Sequence, residues 1–340
     1  MKNKPHILLT GASGSVGQEV LKQLYQQRHN FEITVFGIES KRSQKIFSSF
    51  KGQIKVVYGD ISNYNDIGKA CVNMDYVIHL AAVIPPLADE KPDLAFKVNT
   101  IGTENLIRNL EQLSPHTFFI YSSSISVYGD RLENPMIKAG DILTPSEGDE
   151  YAKTKIKAEQ IICGSKLDWS IFRLAAIMGN HKLSKLMFHM PLLTSLEIAT
   201  AEDTAKAFIH AIDNRSLISK RIFNLGGGTK CRTTYKEFLT RSFEIFGLGK
   251  LNFPEKAFAE KNFHCGFYED GDDLNNILQF RNDTIESYYS NEKNKIPLWR
   301  KGITVIFRKQ IKNFLLKKSE PYLAFITDDT KMVQHYFKAQ

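Results

Sequence analysis

Cysteine is scarce in this chain: Cys71, Cys163, Cys231 and Cys265 are far apart and form no C-x-x-C pair. That excludes a zinc knuckle and a disulfide framework and points to a reducing compartment, so no metal centre is expected. Long apolar runs are missing too. No stretch reaches the about 18 consecutive apolar residues of a membrane span. Behind the basic N-terminus only Ile7, Leu8 and Leu9 precede Thr10, too few for the hydrophobic core of a signal peptide. The expectation is a cytoplasmic protein. Internal repeats and low-complexity segments are absent.

What is present is a composition able to build a large core, 42% hydrophobic and 24% charged. The net charge of +8 is unevenly placed. Residues 293–318 hold nine Lys or Arg and no carboxylate, so the remainder carries 8 − 9 = −1. A nearly neutral body with a cationic tail lacks the broad basic face of a nucleic-acid protein, and no such partner is expected. Within the tail, Trp299, Ile303, Ile306, Phe307, Ile311, Phe314 and Leu315 recur at helical spacing among Arg300, Lys301, Arg308, Lys309, Lys312, Lys317 and Lys318. This predicts an amphipathic cationic helix over 299–318. The favoured reading packs its apolar stripe on the body; peripheral contact with an anionic membrane is the alternative.

The first 180 residues alternate apolar strand runs with helical periods. Residues 6–9, 33–38, 54–60, 75–82, 118–124 and 169–177 read as strands, and 18–28, 64–72, 92–113 and 149–163 as helices. Continuously apolar strands separated by helices predict a doubly wound parallel sheet, the Rossmann fold of the α/β class. Beyond Gly179 strands thin out and helices are predicted over 202–213 and 233–246. The expected organisation is a dinucleotide-binding domain over 1–180, rejoined by segments near 196–226. A smaller substrate-binding lobe over 181–290 and a basic extension over 291–340 follow.

TGASGSVG sets Gly11, Gly14 and Gly17 between the first strand and the first helix. The three glycines give a tight turn, close approach of backbone to a pyrophosphate, and close packing of helix on sheet, whose N-terminal amides attract phosphate. The surrounding strand and helix supply the context that this motif requires, so Ser13, Ser15 and Val16 join the expected cofactor contacts. The acidic residue expected about 20 residues on is replaced by Gly37, and Lys41 and Arg42 follow. Two cations there suit a 2′-phosphate, which favours NADP over NAD, although they also read as a solvated loop. Asp60 suits an adenine amino group or a helix cap.

Tyr151 and Lys155 lie four apart and share one helix face. An ammonium beside a phenol stabilises phenolate, which allows proton exchange with a substrate hydroxyl near neutral pH. Ser124, ending the FFIYSSS strand, would orient the substrate oxygen.

In order, TGASGSVG, YGDIS, VIHLAA, VNTIGTENL, YSSSISVYG, YAKTK and IFRLAAIMG resemble the extended short-chain dehydrogenase/reductase superfamily, the NAD-dependent epimerase/dehydratase family. The resemblance covers at least residues 6–180, with weaker echoes in IATAEDTAKAF, IFNLGGG and DLNNILQFRNDTIESYY. It implies that Ser124, Tyr151 and Lys155 are the catalytic triad, with Tyr151 the acid/base and Lys155 holding the nicotinamide ribose. It also implies cofactor contacts at Asp60, Ile61, Leu80, Ala81, Ala82, Asn99, Leu174, Ala175 and Ile177, and hydride transfer at a carbinol or carbonyl carbon. Relatives that pair through the tyrosine helix make a homodimer the expected assembly.

Departures from the family narrow the substrate. Ile125-Ser126 stands where its dehydratases carry Asp-Glu, which argues against elimination. Ala176 and Leu196 or Glu197 stand where its nucleotide-sugar epimerases carry Asn and Arg, and the loop after Gly179 is short. A smaller carbonyl or alcohol is favoured, lined by Pro85, Pro86, Ser124, Ser126, His189 and the stretch around His264. Met187 and Met190 read first as core, and His189 first as a structural histidine. Two alternatives stay open: a nucleotide-sugar epimerase with tightly held NAD, and a non-catalytic NAD(P)-sensing module.

Overall fold

The structure, a computed structural model, describes residues 4–50, 52–179 and 185–338. The domain boundary expected at 180/181 lies outside the described residues. Among the described residues twelve strands are formed: β1 His6–Thr10, β2 Glu32–Gly37, β3 Lys55–Tyr58, β4 Tyr76–His79, β5 Phe118–Ser124, β6 Met136–Ile137, β7 Asp168–Leu174, β8 Ala176–Met178, β9 Ser195–Thr200, β10 Arg221–Leu225, β11 Arg232–Thr234 and β12 Phe267–Tyr268. Seven of them make one parallel sheet in the order β3-β2-β1-β4-β5-β7-β10. The doubly wound α/β architecture is therefore present.

Its strands read as unbroken apolar runs because both faces are covered. Ile7 and Leu9 enter a core with Val20, Leu21, Leu24 and Phe208, whereas Leu8 enters another with Leu106, Leu110, Ala158 and Ile162. Burying each such side chain contributes about 1.5–3 kcal/mol, so a polar residue at any of them would be costly on either face. The chain reverses direction across the sheet between β1 and β4, and the carboxyl ends of these strands are where an open α/β sheet places its ligand.

Several boundaries differ from expectation. The run 169–177 is two strands, because β7 ends at Leu174 and Ala176–Met178 pair with β9 instead of continuing in the main sheet. Of the segment 196–226, β10 joins the main sheet and the helix Ala201–Asp213 packs on the first helix. β9 instead pairs with β8 and β11 in a separate three-stranded sheet. The first helix spans Ser15–Gln26, starting earlier than expected because Gly14 serves as its cap. The C-terminal lobe has its own core around Phe188, Phe243, Leu239 and Ile198.

The basic segment is two helices, Leu298–Ile306 and Arg308–Leu316, broken at Phe307 rather than at Gly302. The favoured packing holds only for the second helix, whose Ile311, Leu315 and Leu316 join the lobe core. The first helix buries no residue. Among the described residues no helix is long and apolar enough to cross a membrane.

Candidate functional site

The glycine turn leaves β1 at the direction change. Gly11 has φ +75°, and a Cβ there would lie 2.5 Å from the Ala81 nitrogen after β4. A Cβ on Gly17 would lie 2.1 Å from the Gly11 carbonyl oxygen. Gly14 caps the first helix without a side chain, so the amides of Ser15, Val16 and Gly17 keep no intrahelical partner and face the turn. The turn is held from outside by Gln18, whose side-chain nitrogen donates to the Ser13 carbonyl at 3.0 Å. Short-range sterics and free amides together make a cradle fitted to a pyrophosphate. Ser15 also meets Gly179, where a Cβ would touch its side chain at 2.9 Å.

Beside the cradle, Gly37 is half-buried at the end of β2, followed by Ser40, which caps the helix Lys41–Ser48. Arg42 reaches back to donate to the Ser13 carbonyl at 3.1 Å, and Lys41 is exposed beside it. Asp60 is exposed after β3 and accepts from the Ser62 amide and hydroxyl at 2.9 and 2.8 Å. Ile61 is buried against Gly102.

Behind the cradle, Thr10 Oγ1 pairs with His79 Nδ1 at 2.6 Å, and His79 Nε2 with Thr103 Oγ1 at 2.9 Å. Burial, aided by the charge of Lys155, pushes His79 down to about 3, so the ring is neutral and ties β1, β4 and the helix Gly102–Leu113 together. The helical stretch before that helix contains one wider, π-type turn at Phe96–Ile101. The turn carries Asn99, whose amide accepts from the Val83 nitrogen at 2.7 Å and donates to the Val83 carbonyl and to Thr154 Oγ1. Asn99 is thus fully used as a brace between the loop after β4 and the tyrosine helix. Leu80, Ala81 and Ala82 form that loop's start.

The helix Glu150–Cys163 presents Tyr151 and Lys155 to the end of β5. Ser124 ends β5 in register with Leu174 on β7, and its hydroxyl both hydrogen-bonds the Tyr151 phenol and accepts from the Ser126 amide at 3.2 Å. Ile125 and Ser126, the residues that follow Ser124, carry no carboxyl and are buried. Lys155, only 2% exposed, donates to the Ser122 carbonyl at 2.7 Å and stands 5.7 Å from the Tyr151 ring centre. Leu174, Ala175 and Ile177 continue along the same edge.

Burial raises the Tyr151 phenol, the Ser124 hydrogen bond opposes that rise, and Asp149 adds to it. Burial lowers Lys155 to about 7, against the attraction of Glu159. Below Glu159 lies a buried ion pair: Arg173 donates to Glu159 at 3.0 and 2.6 Å, and Ser123 Oγ donates to the same carboxylate. Lys155 yields a signed expectation. Its folded pKa is below its unfolded value, so the unfolded chain binds more protons between them, and its contribution to stability rises with pH from about 7 to about 10.5. Chemical denaturation across that range should show wild type gaining on Lys155→Met by up to about 1.4 kcal/mol per pH unit. A pH-independent difference between the two proteins would contradict the assignment.

Next to the tyrosine helix lies a cavity of about 420 Å³ lined by Pro85, Pro86, Lys185, His189, His264 and Glu320, among others. Asp149 caps the tyrosine helix by accepting from the Ala152 amide, and its other oxygen meets His264 Nδ1 at 3.0 Å. Partial burial and the charge of Asp149 raise Asp89, at the rim, to about 6. His189 meets Glu320 at 2.8 Å, and its ring lies tilted against Tyr336. The hydrogen bond from His189 and that from Lys185 hold Glu320 down to about 2. Met187 is core, and Met190 packs against that core. Asp89, Asp149, Lys185, Glu320 and Tyr336 escaped the sequence reading. No local spacing marks them, because they come from four separate stretches of chain. Among the described residues no group of His, Cys, Asp and Glu is arranged to hold a metal ion.

A glycine cradle at the direction change of a seven-stranded parallel sheet, with Ser, Tyr and Lys at its carboxyl edge, defines a doubly wound dinucleotide-binding fold. Residues 8–169 match the model of the 3-beta hydroxysteroid dehydrogenase/isomerase family. That match covers just under half of this chain and the structural neighbours share its fold; both support the resemblance to the extended short-chain dehydrogenase/reductase superfamily read from the sequence motifs. It is 25% identical over 159 residues to mouse (Mus musculus) 3 beta-hydroxysteroid dehydrogenase type 7, covering 46% of this chain and 43% of the relative. It is 28% identical over 169 residues to 3-beta-hydroxysteroid dehydrogenase of Mycolicibacterium neoaurum, covering 46% and 42%. The match thus spans less than half the length of these relatives. Among solved structures, dTDP-glucose 4,6-dehydratase from Bacillus anthracis in complex with NAD superposes with a TM-score of 0.70 at 17% identity, over 85% of this chain and 96% of that one. UDP-glucuronic acid 4-epimerase from Bacillus cereus, in complex with UDP-glucuronic acid and NAD, gives 0.69 at 19% identity, over 85% and 98%.

Proposed function

We propose that this chain is an NAD(P)-dependent oxidoreductase of the extended short-chain dehydrogenase type acting on a small polar carbonyl or alcohol. The carrying observation is the convergence of Ser124, Tyr151 and Lys155 at the carboxyl end of β5, the latter two on a helix whose cap, Asp149, lines the adjoining cavity. A dinucleotide fits that cradle, where a Cβ at Gly11 or Gly17 would collide with backbone. The bound nicotinamide would supply or accept the hydride.

The protein's own residues handle the proton and the placement. Ser124 donates to the substrate oxygen and fixes its distance from Tyr151. Tyr151 passes a proton to or from that oxygen, and the nearby ammonium of Lys155 stabilises its phenolate when the proton leaves. Asn99 and Asp149 hold the helix that carries both groups.

The cavity lining supports a polar substrate rather than a steroid. An apolar nucleus there would desolvate His189, His264, Lys185 and Glu320 without replacing their hydrogen bonds. The absence of a carboxyl after Ser124 supports simple redox transfer over elimination.

The reading is tested on purified protein by its ultraviolet spectrum and any released nucleotide, then by titration of emptied protein with NADPH and NADH. Dissociable NADPH followed by turnover of small polar carbonyls supports it. Tightly retained NAD would replace it with the epimerase reading, and cofactor binding without turnover of any carbonyl or alcohol with the sensor reading. Arg42 supports NADP(H) as the preferred form, so Arg42→Ala should weaken NADPH roughly tenfold while leaving NADH within about twofold. Equal loss for both cofactors would remove that preference.

A further inference from the structure

The helix Leu298–Ile306 is attached to the body by the wrong face for an ordinary amphipathic helix. Its contact runs through the Lys301 backbone and the Val305 side chain, which crowd the turn at Gly247, where an added Cβ would lie 3.0 and 3.1 Å from them. The stripe at i, i+3, i+4 and i+7, Trp299, Gly302, Ile303 and Ile306, is left facing solvent. Leu298 is 86% exposed, Trp299 69% and Ile306 72%, and the half-exposed Phe307 extends the patch. The following helix anchors this arrangement, with Leu315 buried, Ile311 and Leu316 packed in the lobe core, and Lys312 donating to Asn252 at 2.5 Å. An outward apolar stripe beside a firmly docked neighbour is a fixed surface.

The charges around it select the partner. Arg300, Lys301, Arg308, Lys309, Lys312, Lys317 and Lys318 make no ion pair among the described residues, and residues 293–319 contain no carboxylate. A second copy docking through the same patch would set this cationic field against itself, because a two-fold interface pairs like with like. A polyanion such as nucleic acid would meet the cations but give Leu298, Trp299 and Ile306 nothing apolar to enter. An anionic bilayer offers acyl chains to the stripe and negative headgroups to the cations at the same depth.

We infer that residues 298–318 dock the protein on the surface of an anionic membrane, with the Trp299–Ile303–Ile306 stripe inserted at the headgroup boundary. The body, with its balance of −1, is carried beside the surface rather than drawn onto it.

The test uses the full chain with vesicles of phosphatidylcholine alone or with about a third phosphatidylserine. Co-sedimentation should be at least about tenfold tighter on the anionic vesicles and weaken as salt is added. Trp299 emission should shift to the blue, a usable signal because the other tryptophan, Trp169, is buried. Ile306→Glu and the double variant Arg308→Glu/Lys309→Glu should each lose most of the binding. Both alter exposed side chains, and an unchanged thermal unfolding midpoint will verify that they fold. No binding to either vesicle at low salt overturns the inference. Equal binding to both, indifferent to the charge-reversal variant, also overturns it. A wild-type dimer in sedimentation velocity that Ile306→Glu dissociates, without vesicle binding by the wild type, overturns it in favour of self-association.

Discussion

Tyr151→Phe should lower kcat/KM by about a thousandfold while leaving dinucleotide affinity within about twofold, because the variant keeps the ring and loses only the oxygen to which we assign the proton transfer. General acid–base groups of this kind contribute about 10²–10⁴-fold. The phenol sits on a helix whose start is fixed by Asp149 and whose face is braced by Asn99 through Thr154, so removing one oxygen leaves the site's shape intact. Lys155→Met separates the roles further. It should lower both turnover and cofactor affinity, since the proposed function gives Lys155 both the phenolate to stabilise and the ribose to hold. Stopped-flow hydride transfer and calorimetric titration of cofactor read the two effects independently. Full activity in Tyr151→Phe would remove the tyrosine from the chemistry.

Gly17→Ala should abolish measurable dinucleotide binding, a loss of at least about a hundredfold, or about 2.7 kcal/mol. The new methyl group would lie 2.1 Å from the Gly11 carbonyl oxygen, and that neighbour is backbone with nowhere to retreat. The helix must lift away from the turn and carry its free amides with it. Gly140→Ala, where an added Cβ meets nothing within 4 Å, is the matched control and should bind as wild type does. Calorimetry with both nucleotides, and circular dichroism to verify folding, decides the matter. Retained binding in Gly17→Ala would show that the turn is not the phosphate cradle.

How much of this was legible in the sequence depended on range. The sheet was legible because each strand is apolar on both faces and each helix has its own period, features carried within about ten residues. The cradle and the Tyr151–Lys155 pair were legible for the same reason, being spacings of three and four. The split at Ala175 was not, because it depends on Ala176 pairing with Ile198 on β9, a partner outside the local run. The cavity was legible only in part: Pro85, Pro86, His189 and His264 were named as lining, whereas Asp89, Asp149, Lys185, Glu320 and Tyr336 join them only after the lobe folds. The tail shows the limit from the other side. Its helical period was correct on either side of Phe307, but which face would turn inward was set by Gly247, a residue with no pattern of its own.

Asp149 grips two parts of the molecule at once, the first turn of the tyrosine helix with one oxygen and His264 of the C-terminal lobe with the other. A lobe that swings open must release His264 from the residue that starts the catalytic helix, so separation of the two bodies and fraying of that helix become one event. Heat should therefore melt sheet and lobe in a single cooperative transition, and Asp149→Ala should divide it into two.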